Sequence, residues 1–123
     1  MRFLVIIAAL LFASPAIAQQ TGNNAATPVA AASLVVSPGY LGGITVTTGA
    51  TAGYLMLFDA AAAPADGAVA PARCIPVAAT TGVDMNFRAA PIWFRTGIVA
   101  VFSSTGCFTK TASATAFIAV DYR

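Results

Sequence analysis

From Ser33 onward, short runs rich in Val, Ile, Thr, Phe and Tyr alternate with Gly, Pro, Asn and Thr-Gly punctuation. This is the pattern of strands joined by turns. It predicts strands at Ser33–Ser37, Gly43–Thr48, Gly53–Asp59, Arg73–Ala78, Val83–Arg88, Ile92–Arg95, Ile98–Ser103 and Ser113–Asp121. Glycine takes positive φ at no steric cost, so Thr48-Gly49, Thr81-Gly82, Thr96-Gly97 and Thr105-Gly106 are the expected turns. Arg95-Thr96-Gly97, between two apolar runs, predicts a hairpin. Ala60–Pro71 is rich in Ala, but Pro64, Gly67 and Pro71 oppose a helix and predict a long surface loop.

Two of the strands are apolar on both faces. Tyr54, Met56 and Phe58 alternate with Leu55 and Leu57, and Ile98, Ala100 and Phe102 alternate with Val99 and Val101. Period-two alternation sends the two sets of each strand to opposite faces of a sheet. In a two-layer antiparallel protein one face of each strand normally meets water. Either a loop or tail covers the second face here, or that face is a contact surface, with Leu55, Leu57, Val99 and Val101 as its candidate residues. The expected fold is all-β, an antiparallel β-sandwich or jelly-roll-like arrangement of seven or eight short strands. A membrane barrel needs strands of about ten residues, roughly twice the length of these runs.

The first residues have a different pattern. Met1-Arg2 is a short positive start, Phe3–Phe12 is unbroken apolar sequence, Ser14-Pro15 breaks any helix, and Ala16-Ile17-Ala18 is a small-x-small cleavage pattern. Met1–Ala18 is therefore expected to be a signal peptide, with Gln19 as the mature N-terminus. The apolar run is about half of what a bilayer-spanning helix requires, so no membrane insertion is expected after cleavage. Gln19–Ala32 is polar, then Ala-rich, and lacks apolar periodicity; it is expected to be a flexible leader. Ser33–Arg123 is the single domain.

Composition narrows the chemistry. After Ala18 there are five basic side chains against four Asp, with no Glu and no His. Nucleic acid is not an expected partner, because its electrostatic footprint is a cluster of Lys and Arg. The absence of His removes the commonest general base and rules out a Ser-His-Asp triad for Ser103, Ser104 or Ser113. Lys110, in the polar turn Thr109-Lys110-Thr111, is expected to be a solvated cation. Asp59, Asp66 and Asp121 are expected to end strands and cap turns, because no Asp-x-Asp-x-Asp-Gly spacing occurs. No phosphate-cradling glycine motif occurs either, so no cofactor, metal or catalytic residue is expected.

Cys74 and Cys107 are the only cysteines, and both lie in the exported part. Two cysteines of a small domain in an oxidising compartment most often pair, so a Cys74–Cys107 disulfide is expected. Trp93, in Pro91-Ile92-Trp93-Phe94-Arg95, is expected to contribute to the core. Strand alternation nonetheless sends one of Trp93 and Phe94 inward and the other outward. An outward Trp93 beside Arg95 is the candidate ligand contact of a carbohydrate-binding module.

Three segments carry a resemblance. They are Thr48-Gly49-Ala50-Thr51-Ala52-Gly53-Tyr54, then Phe58-Asp59-Ala60 with Ala63-Pro64-Ala65-Asp66-Gly67-Ala68, and Gly97-Ile98-Val99 with Phe102–Ile118. In these the chain resembles a group of small, largely uncharacterised proteins found near phage and prophage structural genes. The resemblance implies a small β-rich virion or accessory protein without catalytic residues. The resulting expectation is a non-catalytic structural or interaction protein, periplasmic or secreted, that contacts a protein partner or itself. A carbohydrate-binding module is the alternative.

Overall fold

The computed structural model describes Gly22–Ala26 and residues 33–123. It is all-β among these residues, with eleven strands: β1 (Gly22–Ala26), β2 (Ser33–Val36), β3 (Gly39–Thr48), β4 (Gly53–Asp59), β5 (Gly67–Ala68), β6 (Arg73–Val77), β7 (Gly82–Asn86), β8 (Ile92–Phe94), β9 (Ile98–Ser103), β10 (Thr109–Lys110) and β11 (Ala116–Tyr122). The expected signal peptide lies outside the described residues. Of the expected leader, Gly22–Ala26 is not loose: it forms β1 and pairs with β11 from Gly22↔Tyr122 to Ala26↔Ile118. An edge strand can be held by backbone hydrogen bonds alone, so its pairing leaves no apolar periodicity to read.

Every strand pair is antiparallel. One sheet has the order β1-β11-β3-β7, with β8 continuing beyond β7 along the same side of β3, and the other has the order β2-β9-β4-β6. The pairs nest: β1 with β11, β2 with β9, β3 with β7 and β8, β4 with β6. This is one long antiparallel ribbon rolled into two layers, the jelly-roll form of the sandwich. Leu41, Ile44, Val46, Phe94, Ile118 and Val120 from the first sheet meet Leu55, Leu57, Val77, Ile98, Ala100 and Phe102 from the second in one buried core. Among the described residues, no helix is long and apolar enough to cross a membrane.

The two strands apolar on both faces, β4 and β9, are neighbours in the second sheet. Leu55 lies opposite Phe102 and Leu57 opposite Ala100, all facing the core between the sheets. Met56 lies opposite Val101 and Phe58 opposite Val99, on the other face, where they form a second buried cluster. The expected grouping of Leu55, Leu57, Val99 and Val101 as one contact face is therefore wrong. The antiparallel register puts Leu55 and Leu57 on one side of the sheet and Val99 and Val101 on the other, and all four are fully buried. The outer face is covered by a flap from the same chain. It is made of the Ala60–Pro71 loop and the segment after β9, and Ala60, Ala63, Val69 and Cys74 pack against the second cluster.

The flap is tied down at several points. The loop is not wholly irregular: β5 pairs with β10, and the Val69 N–H donates to the Phe108 carbonyl at 3.0 Å. Cys74 and Cys107 are joined as a disulfide, as expected, with Cα atoms 5.7 Å apart. Lys110 is not a solvated cation. It is 5% exposed, and its ammonium meets Asp66, whose carboxylate also accepts from the Ala112 N–H at 3.1 Å. A long side chain buries its stem and keeps its charge only where a partner meets it, and the β5–β10 ribbon supplies that partner.

The turn at Arg95-Thr96-Gly97 is not a hairpin. It crosses between sheets, because β8 pairs with β3 and β9 pairs with β4 and β2. The Asp59 carboxylate closes this corner, accepting from the N–H groups of Arg95 (3.0 Å), Thr96 (2.6 Å) and Gly97 (3.3 Å). Gly97 is there for room and not for positive φ: a Cβ would lie 2.5 Å from the Ala60 carbonyl oxygen. Among the described glycines only Gly67 has positive φ. In the β6–β7 turn it is Thr80, at φ 52°, that takes the left-handed conformation expected of a glycine there.

Candidate functional site

One face of the first sheet carries the exposed chemistry. Tyr40 on β3 lies directly opposite Trp93 on β8, and directly opposed side chains share a face. Their ring centroids are 4.7 Å apart, tilted at 46°, and the side chains are 46% and 52% exposed. Trp93 is thus not a core residue. β8 sends Phe94 inward, 1% exposed, and Trp93 outward, because Phe94 and Ile92 already fill the inner positions of this short strand.

Beyond Tyr40, the β3–β11 register slips: Tyr122 pairs with Leu41 but Asp121 pairs with Gly43, leaving Gly42 as the extra residue of a β-bulge. Two adjacent glycines at this bulge place no side chain of their own there; Gly42 is half-buried and Gly43 buried. A Cβ at Gly42 would sit 3.8 Å from Arg88 Cγ and one at Gly43 would sit 3.5 Å from Asp121 Oδ2, so these two side chains flank the gap. Arg88 and Asp121 pair across it at 3.4 Å. Further along, Thr45 lies opposite Asp84 and its hydroxyl donates to that carboxylate. Gly43, Ile44, Thr45, Ala119 and Asp121 line a shallow depression of about 80 Å³. Aromatic pair, glycine bulge, guanidinium, carboxylates and hydroxyl therefore follow one another along β3.

Of the residues expected to contact ligand, Trp93 is on this face. Arg95 is in the Asp59-bound corner, does not line the depression, and its side chain makes no hydrogen bond among the described residues. Tyr40, Arg88, Asp84 and Asp121 were not singled out as ligand contacts by the sequence pattern. The usable signal was Gly42-Gly43 inside an otherwise β-forming run, since glycine within a strand marks a bulge or a close backbone approach.

The remaining polar groups serve the fold. Asp59 is held below the usual carboxylate range, chiefly by the Thr96 and Arg95 N–H groups. Asp66 is held below it by Lys110 first and the Ala112 N–H second. Ser103 is fully buried; its Oγ accepts the Thr111 N–H at 2.9 Å and so binds the flap to the end of β9. Ser113 Oγ lies 2.9 Å from Thr115 Oγ1. Protein-family models, curated proteins and solved structures contain no match to this chain.

Proposed function

We propose that the protein is an exported, non-catalytic binding domain that works through surface contact, with the outer face of the β1-β11-β3-β7 sheet as its contact surface. The observation that carries this reading is the exposed Tyr40–Trp93 pair, with Arg88–Asp121 and Thr45–Asp84 beside it on the same sheet. Large aromatics beside an Arg are the residue types that dominate binding energy at contact surfaces. The Cys74–Cys107 disulfide suits an oxidising compartment, which agrees with the export pattern of Met1–Ala18 and with a periplasmic or secreted site of action.

A phage-derived structural or accessory role is the second reading. Asp59, Asp66, Gly97 and Lys110 all fall in the segments that carry that resemblance, and in the structure they close the corner and the flap. The resemblance thus concerns residues that build the fold. Jelly rolls serve both capsid and lectin domains, so the architecture is compatible with either role by analogy alone.

The test is retention of the tagged full chain in the envelope or particle fraction of its own cells. Tyr40→Ala with Trp93→Ala is expected to release the protein while its thermal transition stays in place. Unchanged retention of a folded double variant overturns this face as the contact surface. Intact mass of the exported protein checks the processing step, with Gln19 expected at the N-terminus.

A further inference from the structure

We infer that the outer face of β3 is a binding site for a neutral oligosaccharide, an inference that rests on the contact-face reading above. Three observations converge on this ligand class. The Tyr40 and Trp93 rings are exposed and held against each other, so an apolar C–H face of a pyranose ring can pack on them with little ordering of the protein. The Gly42–Gly43 bulge follows along the strand and adds no side chain of its own, so the surface there is formed by the Arg88–Asp121 pair that spans it. Asp121 and Arg88 flank that bulge, and Asp84 and Thr45 lie beyond it. A sugar's vicinal hydroxyls donate to carboxylates and accept from a guanidinium, and such charge-assisted bonds are the strong ones.

The charge balance selects among sugars. The two carboxylates, Asp84 and Asp121, are balanced by two guanidiniums: Arg88, already paired with Asp121, and Arg123, whose backbone exchanges hydrogen bonds with that of Tyr40 and which therefore shares its face. Such a balanced face gives an acidic polysaccharide no net attraction to offset the desolvation of its carboxylates, whereas a neutral one has none to desolvate. The span from Tyr40 to Thr45 is roughly 15 Å at about 3.3 Å per residue. That suits a short run of sugar units lying along the strand, stacked at the Trp93 end and hydrogen-bonded at the Asp84 end.

Trp93 is the only tryptophan, so its fluorescence reports on this face alone. The exported chain is titrated with soluble neutral oligomers of glucose, mannose and N-acetylglucosamine, and with oligomers of galacturonic acid. A saturable emission change is expected with at least one neutral series and none with the acidic one. By calorimetry, Tyr40→Ala and Asp121→Ala are each expected to weaken binding by about tenfold or more without moving the thermal transition. If no neutral series binds while Tyr40→Ala with Trp93→Ala still abolishes retention in the cell fraction, the ligand class is wrong and the contact face stands. Binding that survives both single substitutions places the site elsewhere and overturns the inference. Preference for the acidic series overturns the charge argument and with it the assignment to a neutral sugar.

Discussion

Cys74 lies directly opposite Met56 across the β4–β6 ladder, so the disulfide to Cys107 sits on the same face of the sheet as Met56. That face would otherwise expose Met56, Phe58, Val99 and Val101. The bond thus fastens the covalent end of a flap whose other ties are the β5–β10 pairing and the Lys110–Asp66 ion pair. The flap buries a second small core, and this is how a single sandwich accommodates strands apolar on both faces.

Opening the disulfide should therefore loosen this layer first. The cross-link closes a loop with a sequence separation of 33. In the chain-entropy account its removal costs about 3–4 kcal/mol. Cys74→Ser with Cys107→Ser is expected to lower the urea midpoint accordingly and to increase binding of a hydrophobic dye before global unfolding. A double variant as stable as the parent, with no dye binding, would show that the flap does not depend on the bond.

Val101→Lys is expected to unfold the domain or leave it molten, because a lysine there would be buried without a partner. Leu55→Ala, in the main core, should cost about 2–5 kcal/mol. Circular dichroism and light scattering separate loss of fold from loss of assembly. A folded Val101→Lys protein of altered mass would restore this side of the sheet as a contact face.

Acid should weaken the corner and the flap together. Asp59 and Asp66 have folded-state pKa values below the ordinary 3.8, the first through backbone N–H donors and the second through Lys110. Groups depressed in this way contribute stability that is present above the unfolded pKa and lost as pH falls through the folded one. Thermal stability is expected to fall as pH drops from about 5 to about 2, with a shallower slope in Asp59→Asn and in Asp66→Asn. At neutral pH, Asp66→Ala should cost more than Lys110→Met, since the first strands a buried ammonium and the second leaves a half-exposed carboxylate that water can solvate. Equal costs would show that Lys110 finds another partner.

Thr80 offers a stabilising change. A β-branched residue at φ 52° is strained, whereas Asn or Gly tolerates that conformation. Thr80 Oγ1 bonds only the neighbouring Ala79 carbonyl, at 2.8 Å, so little is lost with it. Thr80→Asn is expected to add on the order of 1 kcal/mol and to raise Tm by about 4–8 °C. A lower Tm would mean that the hydroxyl matters more than the backbone.

Local pattern was sufficient for much of this fold. Gly53–Asp59 and Ile98–Ser103 are strands with the boundaries their composition implies, and Arg73–Ala78 and Ile92–Arg95 each overrun by one residue. Alternation and turn residues act over a few neighbours, so they leave a trace in the chain itself. The same alternation showed that Trp93 and Phe94 must part, and that β4 and β9 have two apolar faces. It could not say which of each pair looks inward, because that depends on what lies across the sheet. Leu55 and Val99 seemed to share a face until the β4–β9 register opposed Phe58 to Val99 and Leu55 to Phe102. Lys110 read as a surface cation because its partner, Asp66, is supplied by a loop far away in sequence. The candidate site has the same origin. Tyr40 joins Trp93, and Asp121 and Arg88 meet beside Gly42-Gly43, only where β3, β8 and β11 come together. Long-range pairing decides such juxtapositions, and it has no local signature.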